Sequence, residues 1–280
     1  AFGNALVNVI KGNGGKNCLD GGQGLDTLQG GFGDDSYGLG DSTSVNGANT
    51  WDTVTEAAGA GTDTVYASAD VGRYTYQLGN NVENLVAVGV SVFRLWGNTL
   101  NNNLTGNGAA NEIAGYGGSD TMNGKAGLDT IAGGEGDDTY ILNDLTRASQ
   151  FSNFVFDTVS EAAGEGLDTV RVLSLANPDR IGTNRYTLTA NVENGLITGS
   201  DTFNLVGNAL ANYLTGNTAA NTLTGNGGND VLDAGLGFDT LLGGENNDFY
   251  VLDDLSRSDT FAILQYDTVT EAANQGIDSV

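Results

Sequence analysis

From Gly97 to Ile141 the chain reads as five consecutive nine-residue units: GNTLNNNLT, GNGAANEIA, GYGGSDTMN, GKAGLDTIA and GGEGDDTYI. The same frame fits Gly3 to Gly38 in four units and Gly207 to Val251 in five, fourteen in all. The first position is Gly in thirteen of them, with Ala234 the exception, the sixth is Asn or Asp in all fourteen, and the eighth is Ile, Leu, Met or Tyr in all fourteen. Glycine at the head, often joined by glycine at positions two and four, admits positive φ and lets carbonyls turn toward one centre, so the first six residues are a turn. The last three are a very short strand with one side chain facing in. One inward residue in nine buries too little for a unit to stand alone, so the units must stack and share a core.

Two units make a coil of eighteen residues, which places turns eighteen apart over one another at the strand spacing of about 4.8 Å. Sixth-position aspartates then meet, Asp120 above Asp138 and Asp230 above Asp248. Carboxylates at that separation repel unless a cation lies between them, and a hard divalent ion that takes six or more oxygens suits Asp together with turn carbonyls. The candidate ligands are Asp26, Asp35, Asp120, Asp129, Asp138, Asp230, Asp239 and Asp248, with the turn glycines Gly24, Gly33, Gly118, Gly127, Gly136, Gly228 and Gly237. Calcium is the expected ion. An Asx-turn alone would also place Asp in a bend, but it does not require Asp to recur at the stacking distance.

The units resemble the glycine-rich nonapeptide of the RTX (repeats-in-toxin) calcium-binding family, most closely in GGQGLDTLQ (Gly21 to Gln29), GKAGLDTIA (Gly124 to Ala132) and GGEGDDTYI. That resemblance implies an all-β fold, a right-handed parallel β-roll with Ca²⁺ between stacked turns, on a protein exported by type I secretion that folds outside the cell. The departures fall in a pattern. Early units carry Asn at position six (Asn8, Asn17, Asn102, Asn111, Asn212, Asn221), so those rungs should hold metal weakly or stack as an uncharged ladder. Pairings of Asn111 with Asp129 and of Asn221 with Asp239 are intermediate. Asn246 stands where Gly is usual, and Ala234 replaces a leading Gly.

Composition narrows the classes further. A net charge of −25 with ten Lys and Arg disfavours nucleic acid and anionic membranes as partners and makes a metal-free chain repel itself, so folding should couple to calcium. With no histidine, His-based triads and His–Cys zinc sites are ruled out, and the one cysteine, Cys18, allows no internal disulfide. No run reaches the length of a membrane span and no signal peptide opens the sequence, which begins and ends in mid-repeat as a slice of something longer would.

A longer period overlies the first. DTVTEAAGAGTDTV (Asp52 to Val65) returns as DTVSEAAGEGLDTV (Asp157 to Val170) and DTVTEAANQGIDSV (Asp267 to Val280), and NVEN at Asn81 returns at Asn191, giving a module of about 110 residues. The expectation is one continuous elongated solenoid over residues 1–280, with blocks 3–38, 97–141 and 207–251 joined by connectors 39–96, 142–206 and 252–280. Within the connectors YTYQL (Tyr74 to Leu78) and YTLTA (Tyr186 to Ala190) alternate as strands do, in coils wider than the roll. Asp41 to Thr50 and Asn143 to Asn153 read as loops, the second with room for a short helix. Tyr37, Tyr140 and Tyr250, last inward residues of the blocks, suggest the coil widening there.

Asp52 with Glu56, and the later pairs Asp157 with Glu161 and Asp267 with Glu271, read either as a second cation site or, since no glycine cradle accompanies them, as solvated or edge-protecting charge. Trp51 and Trp96 are expected to pack and not to form a carbohydrate platform. A carboxylate pair in every coil describes a ladder of ions and not a glycosidase cleft. The expected function is therefore a non-enzymatic, calcium-binding structural segment of a large secreted RTX protein, such as an adhesin shaft, surface layer or extracellular filament. Its partners would be calcium, neighbouring repeats of the same or identical chains, and polysaccharide or cell surface. The alternative is an accessory module of a secreted protease, lipase or alginate epimerase.

Overall fold

A computed structural model of the chain describes residues 1–280 apart from 41–42, 46–47, 70–71, 144–145, 148–153, 175–183, 253–255, 259–262, 266 and 273–274. Every regular element among the described residues is a β-strand, most of them three to six residues long. The chain divides into two compact units, Ala1–Asp138 with Asp157–Val159, and Thr139–Phe156 with Ser160–Val280. Each is a parallel β-solenoid in which successive strands alternate between two sides.

In the first unit one side stacks Cys18–Asp20, Ser36–Leu39, Thr64–Ser68, Asn84–Val88, Asn103–Thr105 and Thr121–Asn123 in sequence order. The other side stacks Val9–Lys11, Thr27–Gln29 and Thr53–Val54, then in a separate sheet Arg73–Gln77, Val92–Trp96, Glu112–Gly117 and Thr130–Glu135. In the second unit one side runs Thr139–Leu142, Thr169–Ser174, Asn194–Gly199, Tyr213–Thr215, Val231–Asp233 and Phe249–Val251. Its other side runs Arg185–Thr187, Asn204–Val206, Thr222–Gly227, Thr240–Glu245 and Thr268–Val269.

Register carries the nonapeptide frame directly into space. Asn103 pairs with Thr121 and Tyr213 with Val231, an offset of eighteen residues. Because like positions then pair, the eighth residues form a column: Leu19, Tyr37, Val65, Leu85, Leu104 and Met122 in the first unit are all 0% exposed. Across the fourteen units the eighth residue is buried in every one except Ile10 of the opening coil. Each buried Leu or Ile in such a column contributes about 1.5–3 kcal/mol, which a lone three-residue strand has no means of obtaining.

Outside the blocks the coil lengthens, as the connectors suggest. Thr64 pairs with Asn84 at an offset of 20, Thr169 with Asn194 at 25, and Ser36 with Thr64 at 28. The largest offsets contain excursions that differ from the expected loops. Thr43–Val45 pairs antiparallel with Ala48–Thr50, and Thr146–Arg147 with Phe154–Val155, so both segments hold short β-ladders. Within Asn143 to Asn153, read as a loop with room for a short helix, residues 144–145 and 148–153 lie outside the described residues. The same device recurs where Ser256–Ser258 pairs antiparallel with Ile263–Gln265. The tryptophans of the first unit pack. Trp51 stands edge-on to Tyr76 at 5.6 Å and donates its indole N–H to the Thr75 carbonyl at 2.8 Å, and Trp96 lies edge-on to Tyr116 at 6.4 Å.

Leu104 faces the core and its neighbour Asn103 faces solvent, so they separate the column from the surface. Leu104→Ala is expected to cost about 2–5 kcal/mol and Asn103→Ala to stay within about 0.5 kcal/mol, read from denaturant midpoints in saturating calcium. Equal losses would show that the inward face is misassigned.

Candidate metal centre

Each sixth-position side chain sits at the entry to a strand, and there the coils join through it. The Asn102 backbone N–H donates to Asp120 Oδ1 at 2.6 Å, and the Asp120 N–H to Asp138 Oδ1 at 2.7 Å. In the second unit Asn212 donates to Asp230 at 2.7 Å and Asp230 to Asp248 at 2.8 Å. The opposite sides repeat the pattern, with Asn8 to Asp26 and Asn111 to Asp129 in the first unit and Asn221 to Asp239 in the second, each at 2.6 Å. All eight aspartates expected as ligands stand in these ladders, between 1% and 3% exposed, so every one is buried.

What Oδ2 does separates the rungs. In Asp26, Asp35, Asp120, Asp230 and Asp248 it is buried and receives no hydrogen bond among the described residues. A buried carboxylate oxygen without a donor is costly, and a cation is what relieves it. The Asn rungs are closed differently. Asn102 Oδ1 accepts the Asn98 N–H at 2.7 Å, and the Asn98 amide donates to the Gly79 and Val82 carbonyls at 2.8 Å each. Amide donors there occupy carbonyl oxygens that a cation would need, so these are uncharged, self-satisfied rungs, as the substitution of Asn for Asp implies.

The glycines serve two purposes, and one differs from expectation. At position four, Gly127 has φ +127° and a Cβ there would lie 2.6 Å from the Ala109 carbonyl oxygen of the coil before. Gly24, Gly33, Gly118, Gly136, Gly228 and Gly237 share the positive φ, and so does Asn246, which occupies that position without being glycine. The leading glycines were expected to provide positive φ, yet none of them takes it. Their constraint is contact, since a Cβ on Gly115 or Gly225 would collide with Oδ2 of Asp120 or Asp230. The head glycine is the floor on which the sixth-position carboxylate rests.

Sequence reasoning did not place the connector carboxylates in the ladder. Asp35 donates its N–H to Asp63 Oδ1 at 2.8 Å, Asp63 to Glu83 Oε2 at 2.8 Å, and Asp26 to Asp52 Oδ1 at 2.8 Å. In the second unit Asp168 donates to Glu193 and Asp248 to Asp278, both at 2.9 Å. The aspartates of the DTV motifs and the glutamate of NVEN are therefore further sixth-position rungs. The signal was present, because Asp-Thr-Val repeats the Asp-x-hydrophobic order of positions six to eight. Asp52 and Glu56, for which a second cation site and solvated charge were the two readings, are 5% and 8% exposed, so they are buried.

Three carboxylates converge twice. Oxygens of Asp35, Glu56 and Asp63 in the first unit, and of Asp248, Glu271 and Asp278 in the second, lie within 4.8 Å of one another. At that separation each like-charged pair repels by about 3.5 kcal/mol at an effective dielectric of about 20. Burial, and then the neighbouring Asp63 charge, push the Glu56 carboxyl above its ordinary value. Burial likewise raises Asp120 and Asp230 to about 7, against the lowering hydrogen bonds from Asn102 and Asn212. The residues fit a hard divalent cation: buried oxygens without donors, all-oxygen ligands, and carbonyls within reach of the turns.

Raised carboxyls set a pH dependence for the metal-free chain. A carboxyl whose folded value lies above its unfolded one favours the folded state when protonated, so that contribution is present below about pH 4 and is lost as pH rises through about 7. Chain stripped of divalent ions should therefore show more β-structure by circular dichroism near pH 4.5 than near pH 8, with Asp120→Asn reducing the difference. A metal-free chain more structured at pH 8 would contradict this.

The family model for the RTX calcium-binding nonapeptide repeat (4 copies) matches residues 2–37, 96–131, 115–144, 206–241 and 232–254, which fall on the three blocks and their ladders. No curated protein matches the chain. By that match the three nonapeptide blocks are RTX calcium-binding nonapeptide repeats.

Proposed function

We propose that this chain is a calcium-binding structural segment of a large secreted RTX protein, an adhesin shaft, surface layer or extracellular filament, and that it folds outside the cell as calcium binds. The observation that carries the reading is the set of buried carboxylate oxygens with no donor at Asp26, Asp35, Asp63, Asp120, Asp230 and Asp248, in a chain of net charge −25. Such an interior is poorly tolerated without cations. The bound sites would be the Asp rungs with the carbonyls of their glycine turns, Asp120 with Asp138 and Asp230 with Asp248 first among them.

Linkage gives the scale. A site held at one hundred times its dissociation constant stabilises the fold by about 2.7 kcal/mol, so a few occupied rungs supply as much as the whole stability of an ordinary domain. Cytosolic free calcium is too low for weak sites of this sort and extracellular calcium is not, which ties folding to export. The 110-residue module, repeated without a Pro-rich or Ser-rich linker, suits a segment that spaces other parts of a protein. A protease, lipase or epimerase domain in the same open reading frame would move the assignment to an accessory module.

Removing calcium with EGTA at neutral pH should abolish most of the β-sheet circular dichroism, and millimolar Ca²⁺ should restore it. A spectrum indifferent to chelation would remove the basis of the proposal. Within the ladder, Asp138→Ala or Asp248→Ala should weaken calcium binding by tenfold or more in calorimetric titration, whereas Asn102→Ala or Asn212→Ala should leave it within about twofold. Equal losses would overturn the ranking of rungs.

A further inference from the structure

We propose that Asp35, Glu56 and Asp63 form a separate divalent-cation site that closes the first nonapeptide block, with a ligand, Glu56, drawn from outside the nonapeptide motif. It rests on the calcium reading above and adds a site to it. Oxygens of the three carboxylates lie within 4.8 Å of one another. Asp35 and Asp63 are 1% and 0% exposed, and in both Oδ2 is buried with no hydrogen-bond donor. Their other oxygens are already committed, Asp35 Oδ1 to the Asn17 N–H at 2.7 Å and Asp63 Oδ1 to the Asp35 N–H at 2.8 Å. Each aspartate thus offers one free oxygen beside the same glutamate.

Glu56 is held there. Its Oε1 accepts the Gly30 N–H at 3.1 Å and the Tyr37 hydroxyl, and that hydroxyl in turn accepts the Gly30 N–H at 2.8 Å. No Lys or Arg pairs with any of the three carboxylates among the described residues. Three acidic side chains are therefore buried together without a counter-charge, and the tyrosine orients the one that reaches in from the connector. Carboxylate oxygens alone, with a hydroxyl at the edge, select a hard ion of the calcium class.

The turn rungs lack this arrangement, because a nonapeptide supplies one carboxylate per coil and Glu56 lies in the wider coil between Asp52 and Asp63. The second unit repeats the convergence, with Glu271 exposed and Asp278 half-buried. Asp248, Glu271 and Asp278 lie within 4.8 Å of one another, and the Gly243 N–H donates to the Tyr250 hydroxyl at 2.9 Å. In sequence the same four residue types recur once more at Asp138, Tyr140, Glu161 and Asp168. A glutamate retained with its tyrosine in every module, where the nonapeptide frame does not call for it, fits a ligand that locks the end of each block to the coil beyond.

Two measurements on the full chain decide the matter. Native mass spectrometry in calcium should count one ion fewer bound to Glu56→Gln than to the wild-type chain, while circular dichroism still shows calcium-induced β-structure. Wild-type crystals soaked with Tb³⁺ should give an anomalous peak between Asp35, Glu56 and Asp63, which requires no variant to fold. An unchanged ion count in folded Glu56→Gln, or no peak at the triad when the turn rungs are occupied, overturns this site and leaves the turn-rung reading standing. A wild-type chain that binds no calcium at all removes both.

Discussion

A buried carboxylate that accepts a backbone N–H through one oxygen and lacks a donor for the other is the constraint on which the rest of this structure depends. It joins consecutive coils, since the N–H of one rung reaches the carboxylate of the next at 2.6 to 2.8 Å. It also constrains the residue at the head of the turn, because at Gly115 and Gly225 the carboxylate leaves no room for a Cβ, with Ala234 the one departure. And it leaves the interior short of positive charge, which a cation at neutral pH or a proton at lower pH relieves without dismantling the stack. Register, glycine content and metal affinity are three consequences of one packing decision.

The alternation of Asn and Asp rungs grades the ladder. Where Asn stands, side-chain amides bond the carbonyls of the preceding coil and the rung needs nothing more. At Asp26, Asp35, Asp120, Asp230 and Asp248 one carboxylate oxygen is left without a donor. Each block runs from Asn to Asp, so uncharged rungs open it and buried carboxylates close it. The widest offsets follow the Asp end of a block, and there a larger inward residue, Tyr37 or Tyr250, replaces Leu and brings a hydroxyl that bonds a backbone N–H. The change of coil size and the gathering of acid therefore occur together.

Much of this was legible in the residues. A nine-residue period with one hydrophobic position leaves no fold but a stack, and an eighteen-residue coil dictates which aspartates become neighbours; Leu104 over Met122 and Asp120 against Asp138 follow from counting. The Asn rungs were legible for the same reason, since an amide carries its own donors. What escaped was whatever broke the period. Asp52, Asp63 and Glu83 stand at irregular intervals, so nothing in their spacing marked them as rungs, although Asp-Thr-Val copies the local order of the motif.

By itself, then, the sequence determined the stack, its inward column and the charged rungs within the nonapeptide blocks, because those depend only on residues a fixed number apart. Tertiary structure decided how far apart the connector residues lie along the chain when they pair, at offsets of 20, 25 and 28, the last of them enclosing the Thr43–Thr50 hairpin that folds out of the coil. It decided also that Glu56 is buried beside Asp35 and Asp63, a meeting of residues 21 and 7 positions apart that no period contains. Proximity within a repeat is arithmetic, and proximity across an excursion depends on where the chain re-enters the sheet.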